Sequence, residues 1–183
     1  MLEPTRPYGA PVRAFVAAFV TFEVAREAWQ ERAYWQMRHA IFCEETSLFA
    51  SPGEERDAHD SGALPIVAIA HSAGTPADIV GIVRIFEQEP GVWYGGRLGV
   101  AAQYRTRPSV GAGLIRSAVG QAKARGCQRF LATVLLENAR HFQRHHFRAL
   151  APSVVCGREH VLMQAELDAF APVGGIARVG CAA

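Results

Sequence analysis

No stretch of the 183-residue chain reaches the roughly 18 uninterrupted apolar residues that a membrane-spanning helix needs. Its start, MLEPTRPYGAPVR, lacks the continuous apolar core of a secretory signal. A cytoplasmic protein with no membrane partner is expected. Cysteine is scarce: Cys43, Cys127, Cys156 and Cys181 stand far apart, with no CxxC pair and no Cys/His cluster at zinc-ligand spacing. They read as reduced thiols, three of them small apolar fillers, and no metal is expected. Nor does one sign of charge dominate. The 19 basic and 17 acidic side chains give a net charge of +2 and are spread along the chain, so nothing resembles the concentrated positive face used to bind duplex phosphates. Nucleic acid is therefore excluded as an expected partner. GxGxxG and GxxxxGK[ST] are both absent, which removes the two commonest nucleotide-binding patterns. There is no internal repeat.

What is present fits one compact domain: half of the residues are hydrophobic, enough at this length to bury a sizeable core. Residues 15–24 are rich in phenylalanine and valine and predict a first strand. In REAWQERAYWQMRHAIF, Trp29, Ala33, Met37 and Ile41 recur every four residues, as one apolar face of a helix requires. Three apolar runs, ALPIVAIAHS, ADIVGIVRIFEQ and GVWYGGRLGVA, are separated by turn residues (Gly74, Pro76, Pro90, Gly91) and predict an antiparallel meander. From 110 to 124 the pattern Val110, Leu114, Ala118, Ala122 predicts a second helix, stopped by Gly126. QRFLATVL predicts a buried strand, NARHFQRHHF a short helix, and PSVVC with EHVLMQAEL a closing pair of strands. A doubly wound dinucleotide fold would alternate strand and helix throughout, so the class is α+β, three-layered, with a mixed, mostly antiparallel sheet flanked by helices. The expected organisation is an N-terminal extension over 1–14, one domain over 15–167 and an irregular tail over 168–183.

GRLGVAAQYRTRPSVGAGLI, residues 96–115, reads as a strand end, a basic loop with glycine, and a helix start. Successive amides and partial positive charge at a helix N-terminus suit a phosphate, Arg105 and Arg107 would add charge, and Gly111 and Gly113 permit close backbone approach. A glycine pair there serves packing or phosphate binding, and the spacing alone leaves both open. In its order between strand and long helix, LGVAAQYR…SVGAGLI resembles the acetyl-CoA-binding motif of the GCN5-related N-acetyltransferases, the GNAT superfamily. Leu98, Val100, Tyr104, Arg105, Val110, Gly111, Leu114 and Ile115 match; Ser109 replaces the first loop glycine, one extra residue separates Arg105 from Gly111, and Pro108 removes a donor. TVLLENARHFQRHHF resembles the second signature of the family through Asn138 and Phe147, with Phe142 in place of the tyrosine that protonates the departing thiolate and His146 in place of a glycine. RHAIFCEE, EERDAHD and GRLGV together resemble a subgroup known from nitrogen-starvation gene clusters.

The resemblance implies an acetyl-CoA-dependent N-acetyltransferase that moves an acetyl group directly to a primary amine of a small, cationic metabolite. Acetyl-CoA, the co-substrate, would be held by Leu98, Gly99, Val100, Arg105, Thr106, Arg107, Ser109, Val110, Gly111 and Ala112, with Asn138 and Phe142 at the thiol end. In the family the fourth strand splays from the fifth, which frees the amides around Leu98 to Val100. The altered loop and Phe142 also keep open a non-catalytic acyl-CoA-binding or regulatory module.

The run EERDAHD concentrates Glu54, Glu55, Asp57, His59 and Asp60 just before the second strand, with Glu44 and Glu45 nearby. Such density suits a cationic acceptor, and Glu45, Asp57 and His59 are the candidates for acceptor binding or base chemistry. A solvated acidic loop with Arg56 as its counter-ion is the competing reading. His141, His145 and His146 read as surface or packing residues. Cys43 and Cys127 have no paired base in sequence, which argues against an acyl-enzyme route. Trp29, Tyr34 and Trp35 are core or dimer-face aromatics, which leaves a homodimer open. Trp93 and Tyr94 open the fourth strand, and at least one is expected to face the acceptor pocket.

Overall fold

A computed structural model describes residues 19–46, 48–49, 53–173 and 177–180; the expected extension over 1–14, the first part of the predicted first strand and Cys181 lie outside them. The elements run β1 (Phe19–Val24), α1 (Ala28–His39), β2 (Leu64–Ser72), β3 (Thr75–Glu89), β4 (Val92–Val100), α2 (Pro108–Lys123), β5 (Arg129–Leu135), α3 (Ala139–Arg144), β6 (Phe147–Val155), β7 (Arg158–Ala165) and β8 (Ala177–Gly180). One eight-stranded sheet has the order β6-β7-β5-β4-β3-β2-β1-β8. Its neighbours are antiparallel except β4 and β5. The expected meander is β2–β3–β4, and its turns fall where the glycines stand: Gly74 (φ +85°) and Gly91 (φ +78°) take the left-handed conformation that costs glycine least.

Side-chain alternation along β2 divides the interior into two layers. Ile66, Ala68 and Ala70 face α2, whose Val110, Leu114, Ala118 and Ala122 form the stripe that the four-residue period predicted. Val67 and Ile69 face α1 on the other side. Gly113 brings helix and sheet together: a Cβ there would stand 2.1 Å from the Phe22 ring.

In α1 the structure corrects the sequence reading. The face turned inward carries Gln30, Tyr34 and Arg38, while Trp29, Ala33 and Met37 are half-buried on its flank. Polar Gln30 and Arg38 can occupy this face because they have partners: Gln30 donates to Glu23, and Arg38 is ion-paired. After His39 the helix widens into one π-helical stretch, Ala40–Glu45, which keeps Ile41 buried. The tail is not wholly irregular. β8 pairs antiparallel with β1, and the Lys123 ammonium at the end of α2 donates to the Leu167 and Phe170 carbonyls, both at 2.6 Å. Of the described cysteines only Cys127 is a buried filler; Cys156 is exposed in the β6–β7 turn and Cys43 is half-buried. Among the described residues no helix is long and apolar enough to cross a membrane.

Candidate active site

The parallel pairing of β4 with β5 stops early. Val92–Gly95 pair with Arg129–Ala132, and beyond Gly95 the strands part, while β4 stays bonded to β3 as far as Val100. Residues 96–100 therefore have one edge without a strand partner. Between the diverging ends lies a cavity of about 350 Å³, walled by Tyr94–Leu98 of β4, Ala132–Leu135 of β5, Asn138 and Phe142 beside α3, and Phe42, Phe49 and Phe86. Of the residues assigned to the co-substrate, Leu98, Asn138 and Phe142 reach this cavity. Tyr94 is on its wall, whereas Trp93 is buried in the core.

The 105–112 segment sits at the start of α2. Arg107 is its N-cap, without a side-chain cap, and Pro108 occupies the first turn. An early proline removes an amide that the helix would leave unpaired anyway, and its fixed φ favours the start. The Val110 amide bends back to the Arg107 carbonyl at 3.3 Å, so the Ser109 amide lies in the turn where a helix offers no internal acceptor. Val110 itself is core, and only its backbone faces the loop. Gly111 is open, since a Cβ there would meet nothing nearer than His141 Nε2 at 3.8 Å. The two glycines thus divide the alternatives that spacing left open: Gly113 serves packing, and Gly111 faces free space. Arg105 is not directed at this turn. Its Nε donates to the Val100 carbonyl at 2.8 Å and its two terminal nitrogens clasp Glu45, pulling that carboxyl below its usual range. Two residues assigned to different tasks are thereby paired with each other.

The acidic loop is also engaged from within. Asp60 accepts Arg38 at 2.7 and 2.9 Å and Arg84 at 2.6 Å. Asp57 accepts Arg84 at 2.7 and 2.9 Å and Arg97 at 3.2 Å. Burial alone would raise the Asp60 pKa, but hydrogen bonds from Arg38, the Asp57 amide and Arg84 outweigh it and hold the carboxyl at about 2. Asp57 is likewise lowered, burial being outweighed by Arg84. Such carboxylates are poor proton acceptors near neutrality. The counter-ions are Arg38, Arg84 and Arg97; Arg56, the expected one, lies over the Trp35 ring at 4.2 Å and reaches Glu55 only at 3.8 Å. His59 is exposed and stacked on Phe86 with 4.3 Å between centroids. Glu45, Asp57 and His59 are absent from the residues that line the cavity.

The sequence reading missed Arg84, Arg97 and His160. The first two are charged residues inside apolar strands, which is a signal in itself, because charge is rarely buried without a task. His160 is buried on β7 opposite Leu135 and lines the cavity. Its Nδ1 lies 2.8 Å from the Arg158 carbonyl, which can only accept, so the neutral ring carries its proton on Nδ1 and a lone pair on Nε2. Among the described residues one group brings three metal-ligating atoms within 4.8 Å of one another, His39, Cys43 and Glu55. Its Glu55 Oε2 already accepts the Gly53 amide at 2.7 Å and the Cys43 thiol at 3.4 Å.

No curated protein matches the chain in sequence. Solved structures share its fold. A Lactobacillus plantarum protein assigned to the N-acetyltransferases is 21% identical, with a TM-score of 0.70 over 81% of this chain and 98% of that one. An acyl-CoA N-acyltransferase from Pseudomonas aeruginosa is 17% identical, with a TM-score of 0.64 over 80% and 97%. A spermidine N-acetyltransferase chimera, from Vibrio cholerae SpeG and hSSAT, is 13% identical, with a TM-score of 0.59 over 81% and 96%. The acetyltransferase (GNAT) family pattern matches residues 18–147, which take in the splayed strands and the bare helix start, and the chain belongs to that family of acyltransferases.

Proposed function

We propose that the protein is an acetyl-CoA-dependent N-acetyltransferase acting on a primary amine of a small metabolite by direct transfer. The observation that carries this reading is the cleft where β4 leaves β5, lined by Ile115 and Ala118 of α2, the helix whose start is uncapped. In the Leu98–Gly99–Val100 stretch the amides that alternate onto the free edge would hold the pantetheine arm and polarise the thioester carbonyl, while that of Gly99 is turned to β3. Thr106, Arg107, Ser109, Gly111 and Ala112, with the backbone of Val110, would cradle the pyrophosphate, and Arg105 would reach it by exchanging Glu45. Asn138 and Phe142 would flank the thiol end.

In the transfer the carbonyl carbon leaves sulfur and joins nitrogen. His160 Nε2 takes the amine proton, and the Tyr94 hydroxyl on the cavity wall gives one to the thiolate and regains one from solvent. Tyr94 thus supplies the proton that Phe142 cannot. Glu45, Asp57 and His59 would shape the acceptor side without acting as bases. The cationic acceptor inferred from the acidic loop loses its support, because the carboxylates of Asp57 and Asp60 are held by arginines.

Acetyl-CoA should raise the melting temperature and, with an amine panel, release free thiol. No thermal shift at saturation overturns the reading. A shift without thiol release from any amine would make the protein an acyl-CoA-binding module. His160→Ala should lower kcat by about 10²–10⁴-fold with acetyl-CoA affinity retained.

A further inference from the structure

We propose that the arginine wall of the cleft, Arg97 backed by Arg84, is a carboxylate-binding subsite, and that the acceptor is an amino-acid-like molecule with an apolar or aromatic body. The proposal rests on the reading of the cleft as the acyl-transfer site.

Charge on the wall has one sign. Among the described residues lining the cavity the permanently charged side chains are Arg84 and Arg97, and no carboxylate is present to receive a polyamine. Behind the wall, donors outnumber acceptors. Arg38, Arg84 and Arg97 share the carboxylates of Asp57 and Asp60, and the buried Nε atoms of both Arg38 and Arg84 have no hydrogen-bond partner. Glu55 does not make up the difference, because its Oε2 is turned to the Gly53 amide and the Cys43 thiol. Only its carbonyl serves the arginines, accepting Arg38 and, at 3.1 Å, Arg97 Nε.

Arg97 is the member with capacity to spare. Asp57 is already clasped by both terminal nitrogens of Arg84, so Arg97 reaches its Oδ2 only at 3.2 Å. One-fifth of the Arg97 side chain is exposed, and its guanidinium lies 4.8 Å from the centre of the Phe49 ring. Its backbone takes φ +55°, unusual for a residue with a side chain, in a stretch where the β3–β4 register shifts. Burial and the neighbouring Arg84 and Arg38 lower its pKa, and a ligand carboxylate would relieve that repulsion. A planar guanidinium pairs with a carboxylate through two parallel hydrogen bonds, and Phe42, Phe49, Phe86 and Tyr94 supply apolar and aromatic surface for the rest of the molecule.

The test uses matched pairs that differ only by the carboxylate: phenylalanine with phenethylamine, leucine with isoamylamine, and spermidine as polyamine control. Binding is measured by calorimetry with and without CoA, and turnover by thiol release. The acid should bind at least about tenfold more tightly than its amine and be turned over with the higher kcat/KM. Arg97→Gln should reduce that ratio at least about tenfold, and Arg97→Lys should restore part of it. Equal or better binding of the amines, or of spermidine, overturns the subsite. So does a ratio unchanged in Arg97→Gln. Acid preference in a protein that fails to bind acetyl-CoA would uphold the subsite and overturn the acetyl-transfer reading, so the two fail separately.

Discussion

The basic loop before α2 and the acidic loop before β2 both have the composition of a ligand site, yet they differ in what is left unsatisfied. In the acidic loop every aspartate is matched by a buried or half-buried arginine. At the start of α2 there is no side-chain cap, one arginine is directed elsewhere, and Gly111 faces open space. Charge density therefore does not single out the surface proposed to bind the co-substrate; unpaired backbone donors do. The acidic loop instead fastens α1 to the sheet and sets the arginine wall behind the cleft.

The sharpest way to break this comparison is to remove a counter-ion of the acidic loop. Arg38→Ala removes a fully buried guanidinium and leaves half-buried Asp60 with less compensation, and should cost about 3–5 kcal/mol of stability, measured by urea unfolding. A loss below about 1 kcal/mol would mean that the loop is a solvated one after all. Gly111→Trp should weaken acetyl-CoA binding at least about a hundredfold with the melting temperature little changed, because it fills the space that the pyrophosphate needs. Gly113→Ala should do the reverse, destabilising by about 1–3 kcal/mol through its collision with Phe22, with affinity kept in the folded fraction.

The acidic loop also predicts a pH dependence. Asp60 ionises at about 2 in the folded protein against 3.8 for its unperturbed form, so its contribution is complete above the latter. It is lost as pH falls through the range between them, on the order of 2 kcal/mol in all. Unfolding free energies at pH 5 and pH 2.5 should differ accordingly, and Asp60→Asn should flatten the difference. The smallest effect belongs to Glu45→Gln. It frees Arg105 from an exposed pair, so acetyl-CoA affinity should change by about fivefold or less and rise rather than fall.

Strand and helix order was legible in the sequence because the α2 stripe and the β2–β4 runs follow simple periods broken by turn residues. The uncapped start of α2 was legible because its amides are local to one segment. The α1 face was misread, since an inward arginine is invisible to an apolar count: its partner Asp60 is 22 residues away in sequence and reaches it only after folding. Separation of 24 to 40 residues likewise hid the partners of Arg84 and Arg97, and the cavity that His160 meets is made by other strands. Each lies on a strand whose neighbours, not its own residues, decide what it faces.

The left-handed backbone at Arg97 has a consequence for how this enzyme can change. Few residues other than glycine, asparagine or aspartate sit comfortably at φ +55°, so a library randomised at position 97 would confound altered recognition with backbone relief. Nor can the proposed acceptor surroundings be varied independently at Phe49 and Phe86, because the Phe49 ring lies 4.8 Å from the Arg97 guanidinium and the Phe86 ring 5.1 Å from that of Arg84.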